Sequence, residues 1–294
     1  METTLAKSIR VTNEKAAYDA ARHTGNAGIL IGIEPISEPI SIEETDRKES
    51  GGGQDLRRAE SQALGVDVFC RHRKGLYMDT PETEKAFLYS EIEGGRLETL
   101  VFTHAHDDHF CLEDVLEALE RNPKLHVIST RAVIRMIRER TAAGILTEIP
   151  PEEPGMVRMK LPEDPGMSLT LFNSPHMGEQ FADVQNLVCL LEAGGKRILL
   201  PGDARPDAEL FERTASWSPV IDWLIGPFPL LGLPSTRKRI AAALTVRHAL
   251  AVHLPRPERD IHGWRASAAK VCERASDGLP MPLFGDVPGQ TYLL

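Results

Sequence analysis

Cysteine is scarce in this chain: four in 294 residues, at positions 70, 111, 189 and 272, with no C-x-x-C pair. That usage excludes a disulfide framework and suits a reducing compartment. No apolar run approaches the ~20 residues of a membrane-spanning helix. Residues 1–10 lack the apolar core of a secretory signal, so the expected location is cytoplasmic and no membrane partner is expected. Basic residues are in deficit, 34 against 43 acidic, for a formal net charge of -9. With no basic, aromatic-interleaved segment either, nucleic acid is an unfavoured partner. There is no Gly-x-Ser-x-Gly elbow for a serine nucleophile. What is present is an ordinary globular composition, 41% hydrophobic and 26% charged. It is long enough to bury a sizeable core and is read as one domain over 1–294.

Apolar runs and spacings alternate along the chain. Residues 14–22 suggest a short helix, and Gly25-Asn26-Ala27-Gly28 a turn entering a first strand. The charged stretch 34–60, with Gly51-Gly52-Gly53, fits neither period and reads as an insertion or long loop. Strands are predicted at 64–69, 100–102, 124–129, 167–173, 187–191, 197–200, 223–225, 248–254 and 291–294. Helices are predicted at 112–119, 131–140, 206–214, 235–244 and 263–275, with a surface loop at 148–154. Strands alternating with helices make the fold class α/β, and the hairpins call for mixed sheets.

The densest chemistry lies in Thr103-His104-Ala105-His106-Asp107-Asp108-His109-Phe110, directly behind the apolar run Leu100-Val101-Phe102. Imidazole and carboxylate together suit zinc, manganese or iron. A strand end is where a rigid scaffold presents a reactive loop. The alternative, a solvated loop that happens to be rich in histidine, leaves the spacing unexplained. Cys111, two residues beyond His109, reads as a buried structural thiol rather than a site residue.

The pattern H-x-H-x-D-H resembles the signature of the metallo-β-lactamase superfamily. That resemblance implies a four-layer αββα sandwich of two mixed sheets, with two divalent ions at one edge, zinc first and manganese or iron as alternatives. It implies that His104, His106 and a downstream histidine hold the first ion. Asp108, His109 and another histidine would hold the second, with an aspartate between them. His176 after a strand, Asp203 in Pro201-Gly202-Asp203 and His253 at a strand end match those downstream positions. Taken alone each would be read as a buried, hydrogen-bonded polar residue. His248, expected in the core, and His262, in a polar loop, compete with His253. Asp67 is either the aspartate that family members carry in an early strand or a carboxylate capping a loop. His23, His72 and His126 lie in no motif and read as structural or surface residues.

The second motif position is His106, where flavodiiron oxidoreductases carry glutamate, and no Gly-Gly follows as in glyoxalase II-like thioesterases. The motif looks more like the branch containing L-ascorbate-6-phosphate lactonase. The implied activity is hydrolysis of a small ester, lactone or similar substrate by metal-bound hydroxide, with Asp108 orienting it and moving its proton. A phosphodiesterase or ribonuclease of the same superfamily is the first alternative, and a metal-holding sensor without turnover the second. Arg205, Arg256, Arg259 and His262 are the candidate substrate contacts. A guanidinium fork suits a carboxylate or phosphate, although each arginine is also read as solvated surface. The oligomeric state is left open by the sequence.

Overall fold

A computed structural model describes residues 20–33, 62–152, 155–161 and 167–294. The insertion expected at 34–60, most of the helix expected at 14–22, and positions 153 and 154 of the acidic loop lie outside the described residues. The first sheet contains β1 (Ala20–Gly25), β2 (Gly28–Ile33), β3 (Gln62–Val66), β4 (Leu97–Phe102), β5 (His126–Thr130), β6 (Ile145–Ile149) and β14 (Thr291–Leu293). Their order across the sheet is β14-β1-β2-β3-β4-β5-β6. The second is built from β7 (Val157–Lys160), β8 (Met167–Pro175), β9 (Gln185–Ala193), β10 (Lys196–Leu200), β11 (Val220–Pro227), β12 (Thr245–Val252) and β13 (Leu283–Phe284). They run in the order β13-β12-β11-β10-β9-β8-β7. Each sheet is antiparallel in one half and parallel in the other, so the mixed-sheet expectation holds.

Between the sheets lies a core formed by Ile29, Ile31, Val66 and Val101 from one and Leu171, Cys189, Ile198 and Ile225 from the other. The outer faces are apolar too, which is why these strands read as short continuous runs rather than alternating ones. On the first sheet, α1 (Glu82–Glu93), α2 (Leu112–Arg121) and α3 (Arg131–Arg138) place Leu88, Leu119 and Ile137 against Leu100 and Val127. On the second, α4 (Ala208–Trp217), α5 (Phe228–Gly232) and α6 (Pro234–Ala243) place Phe211, Leu230 and Ile240 against Leu190 and Leu199. Helix α7 (Trp264–Arg274) packs beside α5. The result is the four-layer αββα sandwich.

The structure corrects the sequence reading in several places. Residues 20–22 are strand, not helix: β1 is paired on both sides, by β2 and β14, and these hydrogen bonds outweigh a weak helical spacing. The strand expected at 64–69 ends at Val66, because Asp67 turns the chain with a φ of 52°. His248 is exposed and stacked on Trp223 rather than buried in the core, because burial in β12 begins only at Ala249, apart from Val246. Helix α1 and strands β1, β6, β7 and β13 carried no recognised signal.

Candidate metal centre

Four segments reach one edge of the sandwich, each leaving the C-terminal end of a strand. His104, His106, Asp108 and His109 follow β4, His176 follows β8, Asp203 follows β10 and His253 follows β12. The ligand atoms fall into three overlapping groups: His104, His106 and His176; His104, His109 and Asp203; Asp108, His109 and His253. Every member is buried except His106, which is half-buried. All seven ligand candidates are thus brought together, with Asp203 between the two sets. Its Oδ2 is 3.5 Å from His176 Nε2 and 3.6 Å from His253 Nε2, while Oδ1 is 3.5 Å from His109 Nε2. These are electrostatic contacts too long for good hydrogen bonds.

Atoms of these residues are left without hydrogen-bond partners: His109 Nε2, His176 Nε2, His253 Nε2 and Asp203 Oδ1. His253 Nε2 lies 3.0 Å from Asp108 Oδ2 but without the alignment of a hydrogen bond. Buried polar atoms without partners are costly, and four converging at one place is the arrangement that a bound cation relieves. The donor set of imidazole nitrogens and carboxylate oxygens fits a borderline divalent ion.

Neighbouring groups fix which ring nitrogen faces inward. Asp67 accepts from Thr103 N–H and Thr103 Oγ1, each at 2.7 Å, and its Oδ2 is 2.8 Å from His109 Nδ1. Nδ1 therefore carries the proton and donates it to the carboxylate, which turns the Nε2 lone pair toward the centre, as outer-shell carboxylates do for metal-bound histidines. Asp67 therefore resolves as an orienting residue. His176 Nδ1 is held 2.6 Å from the Met177 carbonyl, with the same consequence for its Nε2. The 176 and 203 loops are stitched together by Met177 N–H to Asp203 O at 2.8 Å and Arg205 N–H to Pro175 O at 2.7 Å.

Two asparagines do comparable work that the sequence did not reveal. Asn186 Oδ1 accepts the Asp203 N–H, and its amide donates to the Pro201 carbonyl, each at 3.0 Å. Asn26, in the β1–β2 turn, donates to the Asp108 carbonyl at 2.8 Å, and its own carbonyl accepts the His253 N–H at 3.1 Å. Among the described residues, the non-glycine positions with positive φ are Asn26, Asp67 and His253, and all three belong to this network. Backbone strain concentrated in this way marks a functional site.

The electrostatics divide the centre. Burial, reinforced by His109, drives His104 well below the ordinary imidazole range, and burial likewise lowers His106 and His176. These three are neutral lone-pair donors. Burial opposes charge on His109 and His253, but Asp203, with Asp67 on one side and Asp108 on the other, outweighs it and raises both. Burial alone would raise Asp108 and Asp203. The nearby His253 and His109 reverse that, and both carboxyls stay ionised.

The candidate substrate contacts are not brought into this cluster. Arg205 is exposed and pairs with Asp207 at 2.8 Å. Arg256 donates from Nε to the Tyr77 carbonyl at 2.7 Å and from a terminal nitrogen to Asp79 at 3.2 Å, so it clamps a loop. Arg259 is exposed in a short 3₁₀ turn, and His262 is exposed and stacked on Trp264. Residues that do border the cluster went unrecognised in the sequence: Phe181, with its ring 4.8 Å from His106, and Tyr77, 4.1 Å from His253. Neither sits in a motif, and no local signal marks them.

No family model and no curated protein sequence matches the chain. Solved structures do. YhfI from Bacillus subtilis, a metallo-beta-lactamase fold protein, superposes with a TM-score of 0.54 at 12% identity, covering 93% of this chain and 98% of YhfI. The chain has the metallo-β-lactamase fold. CmlA, a diiron beta-hydroxylase from Streptomyces venezuelae, shares it with a TM-score of 0.55 at 12% identity over 95% of this chain. This chain spans 55% of CmlA's length. Yeast PDE1 follows at 0.51 and 12% identity, over 73% of this chain and 72% of PDE1. At such identity the likeness is one of fold, and the metallo-β-lactamase fold here carries its His/Asp cluster at the strand ends. No helix among the described residues is long and apolar enough to cross a membrane.

Filling the centre should stabilise the fold. At a hundred times its Kd, a cation contributes about 2.7 kcal/mol. That amounts to a rise of about 5–10 °C in Tm for a chain of this size. Melting curves with chelator and then with zinc check this, and coincident curves would rule out a metal held by the native state alone.

Proposed function

We propose that the protein is a metal-dependent hydrolase of a small ester, lactone or similar substrate. The observation that carries this reading is the gathering of four partnerless buried atoms, His109 Nε2, His176 Nε2, His253 Nε2 and Asp203 Oδ1, around the Asp203 carboxylate. His104, His106 and His176 would hold one divalent ion and Asp108, His109 and His253 a second, with Asp203 shared. Bound there, such ions supply a water-derived nucleophile near neutral pH and polarise the scissile group. The chain's own residues do the rest. Asp108, ionised and beside His253, accepts and passes on the proton of the attacking water. Asp67 and Asn26 hold His109, Asp108 and His253 in register.

The test is acid release in a pH-stat from lactones, thioesters, simple esters and phosphodiesters, with zinc and then manganese, against metal-depleted protein. Acid from an ester or lactone only when metal is present supports the reading. Acid from phosphodiesters alone would replace it with a phosphodiesterase. Silence across the panel with tightly held metal would favour a non-catalytic metal protein. CmlA's diiron hydroxylation makes oxygen uptake by the Fe²⁺-loaded protein a necessary control.

A further inference from the structure

We propose that the Tyr77 hydroxyl is a hydrogen-bond donor to an oxyanion bound at this centre, an inference that rests on the metal-hydrolase reading. Tyr77 lies on the connection between β3 and α1, far in sequence from His253, the ligand candidate on which it packs. Its ring centroid is 4.1 Å from that of His253 and 5.1 Å from that of His72. The backbone around it is pinned from both sides. Leu76 N–H and Tyr77 N–H both donate to His72 Nδ1, at 2.9 and 3.3 Å. The Leu76 carbonyl accepts Arg256 N–H at 2.8 Å, and the Tyr77 carbonyl accepts Arg256 Nε at 2.7 Å. All four bonds are made by backbone atoms of Leu76 and Tyr77, so the stretch of chain that carries the phenol is set before any ligand arrives. The ring itself rests on that of His253.

The hydroxyl itself donates to none of the described residues. The ring packs on that of His253, whose Nε2 is one of the partnerless atoms of the cluster, so the phenol borders the ligand set. A donor with no protein acceptor, beside a cation site, can bond a ligand that the site holds. That ligand must be an acceptor that the loaded centre attracts. Bare carboxylates at Asp108 and Asp203 repel an anion, whereas the same site carrying divalent cations draws one in. Ester or lactone hydrolysis develops negative charge on one oxygen of a tetrahedral carbon. A donor held beside the centre needs little reorganisation as the charge appears. Inorganic phosphate has the same tetrahedral, oxygen-rich, anionic character and serves as the probe.

The competing reading is that Tyr77 only packs against His253. Tyr77→Phe separates the two, because the ring stays and only the donor is lost. The protein is loaded with Co²⁺, its visible spectrum gives cobalt stoichiometry, and the change in that spectrum on adding phosphate gives a Kd. The expected result is unchanged cobalt stoichiometry and spectrum in Tyr77→Phe, with a phosphate Kd raised about tenfold or more. On any ester found to be a substrate, kcat should fall by about a hundredfold with KM little changed. Equal phosphate Kd values in the two proteins, or loss of cobalt by the variant, would overturn the proposal. So would cobalt-loaded wild type that ignores phosphate. Wild type that fails to bind cobalt would instead sink the metal reading, and the proposal with it.

Discussion

Asp203→Asn is expected to lower turnover by about a thousandfold and to reduce bound metal, with little change in the fold. The carboxylate is the hub of the centre, within 3.5–3.6 Å of His109, His176 and His253. An amide has the same shape and occupies the same space. The hydrogen bond that seats the turn comes from the Asp203 backbone N–H to Asn186 Oδ1, which the substitution does not touch. What disappears is one negative charge shared between the two half-sites, in a buried place where charge counts for more than in water. Removing about 4 kcal/mol of charge stabilisation from a metal-assisted hydrolysis is about a thousandfold in rate. Metal analysis of the purified variant beside its kcat checks this. A variant that keeps both its metal and its rate would remove Asp203 from the centre.

A second large effect is expected one residue earlier. Gly202 has a φ of +55°, and a Cβ added there would lie 2.6 Å from Asn186 Oδ1 and 2.8 Å from Thr103 Cβ. Both neighbours are fixed, Asn186 by the Pro201 carbonyl and Thr103 by Asp67. Gly202→Ala combines left-handed strain of about 1 kcal/mol with overpacking of about 1–3 kcal/mol. The sum is about 3 kcal/mol, or a fall of about 6–12 °C in Tm. Gly195→Ala is the control: its φ is +74°, but nothing lies within 4 Å of the added Cβ, so it should show the strain alone. Thermal unfolding by circular dichroism compares them. Equal losses in the two variants would show that the clash with Asn186 and Thr103 is absent.

The metallo-β-lactamase fold makes this site unusually legible in sequence, since each of the four ligand-bearing segments begins just past the end of its own strand. Phe102 ends β4 and His104 lies two residues on, Pro175 is followed at once by His176, and Val252 by His253. A short apolar run and the polar residue behind it are both local facts. Local spacing also located α2 and α3, where Val115, Leu119, Val133 and Ile137 turn to the core. Helix α1 escaped because its buried face includes Glu84 and Lys85, which hide the apolar period. Those charges are tolerated only because Arg22 reaches Glu84 and Asp114 reaches Lys85. β1 escaped because its identity depends on partners at both ends of the chain.

The orienting groups are of the same non-local kind. Asp67 meets His109 from 42 positions away, Asn26 meets Asp108 from 82, and Arg256 reaches Tyr77 across 179. Chemistry-bearing residue types and their strand-end positions were written in the sequence because they follow from short-range pattern. Which nitrogen faces inward, which arginine clamps a loop rather than meeting a ligand, and which phenol packs on His253 were decided only in the tertiary structure. Asp67 and Asn26 make their contacts between strand ends of one sheet, which long-range strand pairing brings together. Arg256 and Tyr77, by contrast, meet only when the two sheets pack face to face.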